Sequence, residues 1–586
     1  MKLRINDNGN PDHKRVLLEV IGERIPVEEA PEGLQISLVM DSNVGPEESY
    51  RIDECGGAFT VTGADVLGLY FGIGKLLHTA SWTGESFAPV PTDGVIAPDC
   101  PFRTFYCATH FFNWYNLCPT EELEKYTRDL VLWGYNTIHC TMSVTIYDSL
   151  DDPRVVALFQ KIRRIFTMAK KFGMKLSTGS TSNQGLHSAP KEFYADPSCY
   201  DRRCKITGVN LCPAIPGALD YLLGVWRARY ELIKDLEIDT IGYGAYDEGG
   251  CGCPKCRPWG ANGYPTLAKE LTKLTKEYFP NCRISMSTWF FDQPDDEGEY
   301  EGFYARIRSG ELDFVDSITS DSHHGFPKYP LTHTPPKPTV GFPEISMYGL
   351  RPWGGRGANP LLKRFQKQWD ECKHVVWGGK PYTEGLYEDI SKIQYIGYYW
   401  DKDRHYTDIF REYCNYEFQA EYYDEILEMC HLIEENHVDV FEGREPDMQK
   451  AYRVEELAEK VNAGMRENIK TGFRWRLLYI RAKMDRMVYE YYYSKGKDYY
   501  LVNDTGRRWA DSDGTMVEPG EMISALGALW RTPISYLENN QEAQELMWEM
   551  VKLYHVDIVK GTGSVMCPPL VINEETKRAH GYLSMR

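Results

Sequence analysis

The stretch IDTIGYGAYDEGGCGCPKC, residues 238 to 256, decides how the rest of the chain is interpreted. An apolar, β-prone run from Ile238 to Tyr243 leads to two adjacent carboxylates, Asp247 and Glu248, and two glycines follow at once. Such a pair is often only a solvated turn. It is also what a (β/α)8 barrel carries at the end of a strand, where one acid can face a ligand while its neighbour turns to another part of it.

The composition narrows the classes of partner. Among 586 residues the net charge is −19, which argues against nucleic acid or a membrane surface, because their phosphates would be repelled. Aromatic residues make up 13% of the chain, with 40 Tyr and 14 Trp, and their flat apolar faces suit sugar rings. An oligosaccharide or glycoside is therefore the expected partner.

Targeting signals are not visible in the sequence. The residues after MKLR form no apolar signal core, and no run reaches 18 apolar residues, so we expect neither a signal peptide nor a membrane span. A cytoplasmic location is the default expectation, and the 16 cysteines, which follow no disulfide framework, are expected to be mostly reduced and buried. A homo-oligomer is compatible with the sequence.

Three segments differ in their hydrophobic pattern. Residues 1–98 alternate the short runs VLLEVIGERIPV, LQISLVM and AFTVTG with turns and then predict a helix over 64–80, which indicates a small α+β domain. Residues 99–388 repeat a strand and a helix every 30 to 45 residues. Residues 389–586 are mainly helical, with long amphipathic stretches.

The middle segment contains eight predicted strands separated by helices, which is the pattern of a closed (β/α)8 TIM barrel. The predicted strands are 102–111, 136–142, 175–182, 239–248, 283–292, 314–321, 344–349 and 374–384. The sixth and seventh units are irregular, because the stretch 326–343 is rich in proline.

Polar and aromatic residues cluster at the predicted carboxyl ends of these strands, which core periodicity does not explain. In strand order they are His110, Asn113 and Trp114; His139; Asn183 and Gln184; Asp247 and Glu248; Trp289 and Asp292; Asp321, His323 and His324; Tyr348 and Trp353; and Glu384. Trp289, Trp353 and Trp377 are candidate walls of a sugar subsite.

Two carboxylates in an aromatic-lined barrel mouth favour cleavage of a glycosidic bond. The reaction needs one group to protonate the leaving alcohol and another to stabilise an oxocarbenium-like centre. Glu248 is the candidate acid if it faces the cavity, since burial among aromatic rings raises the pKa of a carboxyl group. No phosphate loop, GxSxG motif or dinucleotide fingerprint is present, and no cofactor is expected.

Several motifs together are similar to family 20 glycoside hydrolases, the β-N-acetylhexosaminidases. They are GADVLGLYFGIGKLL in the small domain, PFR entering the first strand, the strand-four Asp-Glu pair, a Trp on strand five, and a Trp and a Glu on strand eight. The resemblance covers about residues 30 to 390 in architecture. The family's His-x-Gly-Gly before Asp-Glu is replaced by Tyr-Gly-Ala-Tyr at 243–246.

The resemblance implies a substrate-assisted, retaining mechanism. Glu248 matches the general acid/base, and Asp247 matches the residue that orients the 2-acetamido group, whose carbonyl oxygen attacks the anomeric carbon. It further implies sugar contacts for Arg103 on the first strand, Trp289 in the acetamido pocket, and Trp377 and Glu384 on the eighth strand.

A second resemblance stays open beside the first. YDEGGCGCPKC with YTEGLYEDISK and a helical tail resembles the related family 67 α-glucuronidases and family 163 endo-acting enzymes. It keeps Glu248 as the acid and makes Glu384 or Asp292 the base that activates water. A third, non-enzymatic alternative is a carbohydrate-binding barrel in which Glu248 is held ionised by a Lys or Arg.

Cysteines form a candidate metal site next to the acid pair. Cys251, Cys253 and Cys256 give C-x-C-x-x-C, and Cys204 or Cys212 in the preceding loop is a candidate fourth ligand of a tetrahedral zinc. A second C-x-x-C is missing, so the sequence favours a tight loop with free thiols and no metal. Adjacent His323 and His324 rarely face one ion and are interpreted as loop residues or sugar contacts.

Overall fold

The computed structural model describes most of the chain and leaves several loops and the end of the sequence undescribed. The described residues are 1–109, 115, 118–142, 144, 147–199, 209–246, 249–292, 297–322, 325–346, 358–383, 389–436, 446–495, 540–553, 557–559 and 564–566.

The strands are numbered along the chain. They are β1 Lys2–Asn6, β2 Glu28–Glu29, β3 Leu34–Met40, β4 Tyr50–Cys55, β5 Ala58–Gly63, β6 Ser81–Trp82, β7 Phe87–Ala88, β8 Phe102–Cys107, β9 Thr137–Thr141, β10 Lys175–Thr181, β11 Gln184–Gly185, β12 Val209–Asn210, β13 Thr240–Gly244, β14 Arg283–Ser287, β15 Ser317–Ser322, β16 Thr339–Ser346, β17 Val376–Gly379, β18 Tyr382–Thr383, β19 Asp557–Val559 and β20 Ser564–Met566.

The helices are numbered in the same way. They are α1 Pro11–Gly22, α2 Val66–His78, α3 Thr120–Trp133, α4 Pro153–Lys171, α5 Ala218–Glu231, α6 Gly263–Tyr278, α7 Glu299–Arg308, α8 Lys328–Thr332, α9 Leu362–Cys372, α10 Asp389–Trp400, α11 Tyr406–Glu417, α12 Tyr423–Glu435, α13 Met448–Gly464, α14 Glu467–Lys470, α15 Phe473–Lys495 and α16 Gln541–Leu553.

Eight parallel strands close into a barrel. Their order is β15-β14-β13-β10-β9-β8-β17-β16, and the pairing of β15 with β16 closes the ring. The short strand β18 continues the eighth strand and also pairs with β16. The predicted (β/α)8 fold is therefore confirmed. Closure brings the carboxyl ends of all eight strands to one end of the barrel, which we call the mouth.

The seventh strand starts earlier than predicted, at Thr339. Pro343, the last residue of the proline-rich stretch, lies within β16 opposite Ser322 of β15. Its neighbours keep the pairing on both sides, with Phe342 opposite Asp321 and Glu344 opposite Tyr382. A proline lacks only its own N–H donor, so the strand continues past it.

A five-stranded sheet of order β2-β1-β3-β5-β4 forms the N-terminal part, with α1 and α2 packed on it. The predicted helix over 64–80 is confirmed as α2, which Asp65 caps by accepting from the Gly68 N–H at 2.7 Å. The run VLLEVIGERIPV is not a strand, because most of it belongs to α1. Its buried Val16, Leu17, Val20 and Ile21 have helical spacing.

Helix α10 is the last helix of the barrel, although the sequence placed it beyond residue 388. Its Tyr399 carbonyl accepts from the Cys100 N–H at 2.9 Å, and its Lys392 carbonyl accepts from the Tyr135 hydroxyl at 3.0 Å. The barrel thus extends to about Trp400 before the remaining helices begin. None of the described helices combines the length and the hydrophobicity needed to cross a membrane.

A buried charged group joins the helical part to the barrel. Arg474 of α15 donates to Asp389 of α10 at 2.7 Å and lies 3.5 Å from Glu417 and 3.3 Å from Asp129. Arg24 of the N-terminal part also reaches Glu417, at 3.1 Å. Because these charges are shielded from water, the pairs fix how the three parts meet.

Arg103 does not lie where a sugar-binding residue was expected. It lies near the start of the first barrel strand, at the end opposite the mouth, and is fully buried. Its guanidinium donates to Glu48 of the N-terminal part at 2.5 Å and to the carbonyls of Gly134 and Cys100 at 2.8 Å. Arg103 therefore joins the N-terminal part to the end of the barrel opposite the mouth.

The partner Glu48 is held ionised. Burial raises the pKa of its carboxyl group, but the charges of Arg103 and Lys175 outweigh burial and keep the pKa below its ordinary value. A carboxyl with a lowered folded-state pKa contributes stability above its unfolded pKa and loses it as the pH falls. This contribution is complete at neutral pH and disappears under acid conditions.

We expect Arg103→Met to lower the free energy of unfolding by about 3 to 5 kcal/mol, because it leaves the Glu48 carboxylate buried without its main partner. Chemical denaturation at neutral pH measures the loss. Arg51→Met is the control, since its ion pair with Asp53 is exposed and should change stability by less than about 1 kcal/mol. Equal effects of the two substitutions would contradict the structural role of Arg103.

Candidate active site at the barrel mouth

An aromatic cluster fills the mouth half of the barrel interior. Its members are Tyr106 of β8, His139 of β9, Trp289 after β14, Phe342 of β16 and Tyr382 of β18. Ring centroids lie 5.2 Å apart for Tyr106 and His139, 5.0 Å for Tyr106 and Tyr382, 5.2 Å for Phe342 and Tyr382, and 5.3 Å for Trp289 and Phe342. Five strands thus contribute to one aromatic floor.

Hydrogen bonds fix the polar edges of this floor. The Tyr106 hydroxyl lies 2.9 Å from Thr141 Oγ1, and His139 Nδ1 lies 2.8 Å from Ser177 Oγ. His139 and Trp289 were predicted as site residues, and the structure brings them together. Tyr106, Phe342 and Tyr382 were missed. The alternation of side chains along β8 could have indicated Tyr106, because it lies on the same face of the strand as Thr104.

Lys380 lies beside this floor. Its Nζ is 5.2 Å from the centroid of Phe342, and the described part of the chain offers it no carboxylate and no side-chain hydrogen bond. Burial lowers the pKa of the Lys380 amine to about 8. An unpaired ammonium near an aromatic face has only the ring quadrupole to compensate for lost water. No motif or spacing in the sequence singles out this lysine.

The predicted acids Asp247 and Glu248 lie outside the described residues, but the chain on either side of them is fixed. Before the pair, the Tyr246 hydroxyl donates to Glu299 Oε1, and the Ala245 carbonyl accepts from Trp259 Nε1 at 2.9 Å. Glu299 is buried and also accepts from the Gly260 N–H at 2.7 Å. Tyr246 is thereby tied to the start of α7.

After the pair, Asn183 holds the Gly-Gly turn. Its side-chain amide donates to the Gly250 carbonyl at 2.9 Å, and its Oδ1 accepts from the Gly250 N–H at 2.9 Å. Gly250 has φ of 107°, which favours glycine, and a Cβ on Gly249 would lie 2.4 Å from the Ala245 carbonyl. The two glycines are therefore required by the turn, and Asn183 is a clamp on the loop.

Asp292 does not have the environment expected of a water-activating base. Its Oδ1 accepts from the Glu299 N–H at 2.7 Å, and its own N–H donates to Glu299 Oε2 at 3.1 Å. Burial raises the pKa of Asp292, against the lowering effect of backbone N–H groups at the start of α7. The carboxyl group is engaged with the N-terminus of that helix.

Trp377 was expected to form a wall of a sugar subsite, and the structure does not place it there. It is the second residue of β17, beside Val376, which pairs with the first residue of β16. This position is at the end of the barrel opposite the mouth, and the side chain is 53% exposed. Trp377 therefore does not line the aromatic floor.

Several other predicted residues lie outside the described part of the chain. They are His110, Asn113, Trp114, Tyr348, Trp353 and Glu384, together with His323, His324 and Cys204. Asp321 is described and is buried on β15.

The described part of the chain also contains a cysteine cluster beside the acid pair. The sulfur atoms of Cys212, Cys251, Cys253 and Cys256 all lie within 4.8 Å of one another. Hydrogen bonds from the Cys251 and Cys256 thiols lower the pKa of Cys212 to about 4. The predicted C-x-C-x-x-C loop and Cys212, one of its two candidate partners, are thus brought together.

Comparison with known proteins identifies the class of fold. No protein-family model matches the chain, and no curated protein matches it. Solved structures do. A family 89 glycoside hydrolase from Clostridium perfringens, in complex with 2-acetamido-1,2-dideoxynojirimycin, aligns over 98% of this chain and 74% of its own, with TM-score 0.57 and 10% identity.

Two further structures align over 94% of this chain. A family GH115 4-O-methyl-α-glucuronidase with specificity for decorated arabinogalactans has TM-score 0.56 and 12% identity over 78% of its own chain. A GH138 enzyme targeting pectin rhamnogalacturonan II has TM-score 0.55 and 13% identity over 74% of its own chain. Family 20 β-N-acetylhexosaminidases also align, at TM-scores of 0.43 to 0.45. The chain therefore has the barrel fold shared by several glycoside hydrolase families.

The lowered pKa of Lys380 predicts a pH-dependent effect of Lys380→Met. Below pH 8 the folded protein bears a charged, poorly solvated amine, so methionine should stabilise it by about 1 to 3 kcal/mol. Since the amine is neutral in the folded state above pH 8 and in the unfolded state only above about 10.4, this gain should shrink between those values. Chemical denaturation at pH 7 and pH 10 measures it.

The control is Lys273→Met on the exposed face of α6, where the lysine pairs with Glu270. Its effect on stability should be small and should not change between the two pH values. A stabilisation by Lys380→Met that stays constant across this range would contradict a lowered pKa.

Proposed function

We propose that this protein is a glycoside hydrolase of the retaining β-N-acetylhexosaminidase type, with Glu248 as general acid/base. Asp247 orients the 2-acetamido group of the substrate, whose carbonyl oxygen attacks the anomeric carbon. One observation carries the proposal. Tyr246 and Gly249, the immediate neighbours of the acid pair, lie at the same end of the barrel as the aromatic floor.

Three features support the assignment of chemistry to this mouth. The aromatic floor offers ring faces against which the apolar face of a pyranose can pack. Water-poor surroundings raise the pKa of a carboxyl group, which keeps a proton available for the leaving oxygen near neutral pH. Hydrogen bonds hold Tyr246 and Gly250, the described residues that flank the loop with the acid pair, and positioning of catalytic groups requires such support.

The substrate-assisted mechanism needs no enzyme nucleophile. Glu248 donates its proton to the glycosidic oxygen while the acetamido oxygen attacks the anomeric carbon from the opposite face, giving an oxazolinium intermediate. Glu248 then removes a proton from the water that opens this ring, which restores the acid and retains the configuration. Asp247 holds the acetamido nitrogen so that its oxygen points towards the anomeric carbon.

The competing mechanism uses Glu248 as acid and Glu384 as base, with inversion. Lys380 is the observation that favours a uronic acid substrate in that case, because a carboxylate on the sugar would pair with its ammonium. Asp292 is a weaker base candidate than Glu384, since its carboxyl group binds the start of α7.

Hydrolysis of p-nitrophenyl β-GlcNAc, β-GalNAc and α-glucuronide by wild type and Glu248→Gln tests the proposal. We expect cleavage of a 2-acetamido sugar that falls by about 10²-fold or more in the variant, because general acid catalysis contributes about this much. The loss should be smaller on 2,4-dinitrophenyl glycosides, whose leaving group needs no proton. Glu237→Gln, on an exposed glutamate, is the control and should keep full activity.

Asp247→Asn and a thiazoline inhibitor separate the two mechanisms. Substrate assistance predicts that Asp247→Asn lowers kcat on acetamido sugars and that the thiazoline inhibits the wild type. Cleavage of the glucuronide with inversion, lost in Glu384→Gln, would establish the competing mechanism instead. Activity that Glu248→Gln leaves unchanged would rule out Glu248 as the acid in both.

A further inference from the structure

The four clustered cysteines come from two different loops of the barrel mouth. Cys212 follows β12, in the connection after the third barrel strand, whereas Cys251, Cys253 and Cys256 follow the fourth. The Cys212 sulfur lies 3.6 Å from that of Cys253 and 3.8 Å from that of Cys256. These distances exceed a disulfide bond, which is about 2.05 Å.

The distances from the Cys212 sulfur to those of Cys253 and Cys256 match the edges of a metal-centred tetrahedron. Zinc binds thiolates at about 2.3 Å, and the corners of a tetrahedron with that radius are about 3.8 Å apart. Four sulfurs of which Cys212, Cys251 and Cys256 are buried therefore surround a volume of the right size for one ion.

The local backbone also suits bound thiolates. The N–H groups of Cys256 and Arg257 both donate to the Cys253 carbonyl, at 2.9 and 3.0 Å, which forms a tight turn between the last two cysteines.

We propose that Cys212, Cys251, Cys253 and Cys256 form a structural zinc site that joins the loops after the third and fourth barrel strands. Four thiolates complete the tetrahedron and leave no open position for substrate, so the metal takes no part in bond cleavage. The sequence had favoured free thiols because a second C-x-x-C is missing. The fold supplies the fourth ligand from a residue 39 positions before Cys251.

The site has a consequence for the neighbouring acid pair. Cys251 directly follows Gly250, so the ion would fix the chain just after Asp247 and Glu248 and supplement the clamp by Asn183. Binding to the folded state alone also adds stability, because the unfolded chain does not preorganise the four ligands.

The metal content of untagged protein, purified without chelators under reducing conditions, tests the site directly. We expect one zinc per chain by inductively coupled plasma mass spectrometry, and much less than one in Cys256→Ser and Cys212→Ser, with a lower Tm in both. Cys430→Ser is the control, since this cysteine is equally buried but lies on α12 away from the cluster. It should retain one zinc.

Cobalt substitution provides a second readout that does not need the variants to fold. Protein loaded with Co²⁺ should show intense thiolate-to-cobalt charge-transfer absorption and the visible bands of a tetrahedral site. Zinc retained in Cys256→Ser, iron in place of zinc, or a mass lower by four hydrogens from two disulfides would each overturn the proposal. None of these readouts depends on glycosidase activity, so failure of the proposed function would leave the outcome interpretable.

Discussion

Closure of the eight parallel strands is the constraint on which the rest of the structure depends. The pairing of β15 with β16 joins the two ends of the sheet, so strands far apart in sequence become neighbours. Tyr106 and Tyr382 are separated by more than half of the barrel sequence, yet their rings are 5.0 Å apart. An open sheet would leave the residues of the first and last strands on opposite edges, with no common floor.

Closure of the barrel does not by itself orient catalytic groups. Hydrogen bonds among the loops at the mouth are needed to hold them. Glu299 binds Tyr246, Gly260 and the backbone of Asp292, so one buried carboxylate organises the loops after the fourth and fifth strands. Asn183 plays the same role between the third and fourth. Each side chain satisfies buried backbone groups that would otherwise destabilise the loops by about 1 to 3 kcal/mol apiece.

The sequence predicted the barrel well because strand and helix alternation depends on local periodicity. It failed where a residue's environment depends on a distant partner. The resemblance to family 20 enzymes implied a sugar-binding role for Arg103. In the structure Glu48 of the N-terminal part neutralises Arg103 at the end of the barrel opposite the mouth. Asp292 was a candidate for the base that activates water, but its carboxyl group accepts from the Glu299 N–H at the start of α7. The choice between Cys204 and Cys212 as fourth member of the cysteine cluster has the same cause, since Cys212 reaches the other cysteines only through the fold.

The described residues on either side of Asp247 and Glu248 lie in crowded surroundings. The chain leaves β13 after Gly244 and turns at Gly249 and Gly250, within a space where a methyl group added to Gly249 would meet the Ala245 carbonyl at 2.4 Å. A turn this crowded, fixed by side chains from three other segments, loses conformational entropy that an ordinary solvated loop would keep. A surface turn with no function would not require this loss of conformational entropy. The loss is expected if the two carboxylates must keep one geometry during a reaction.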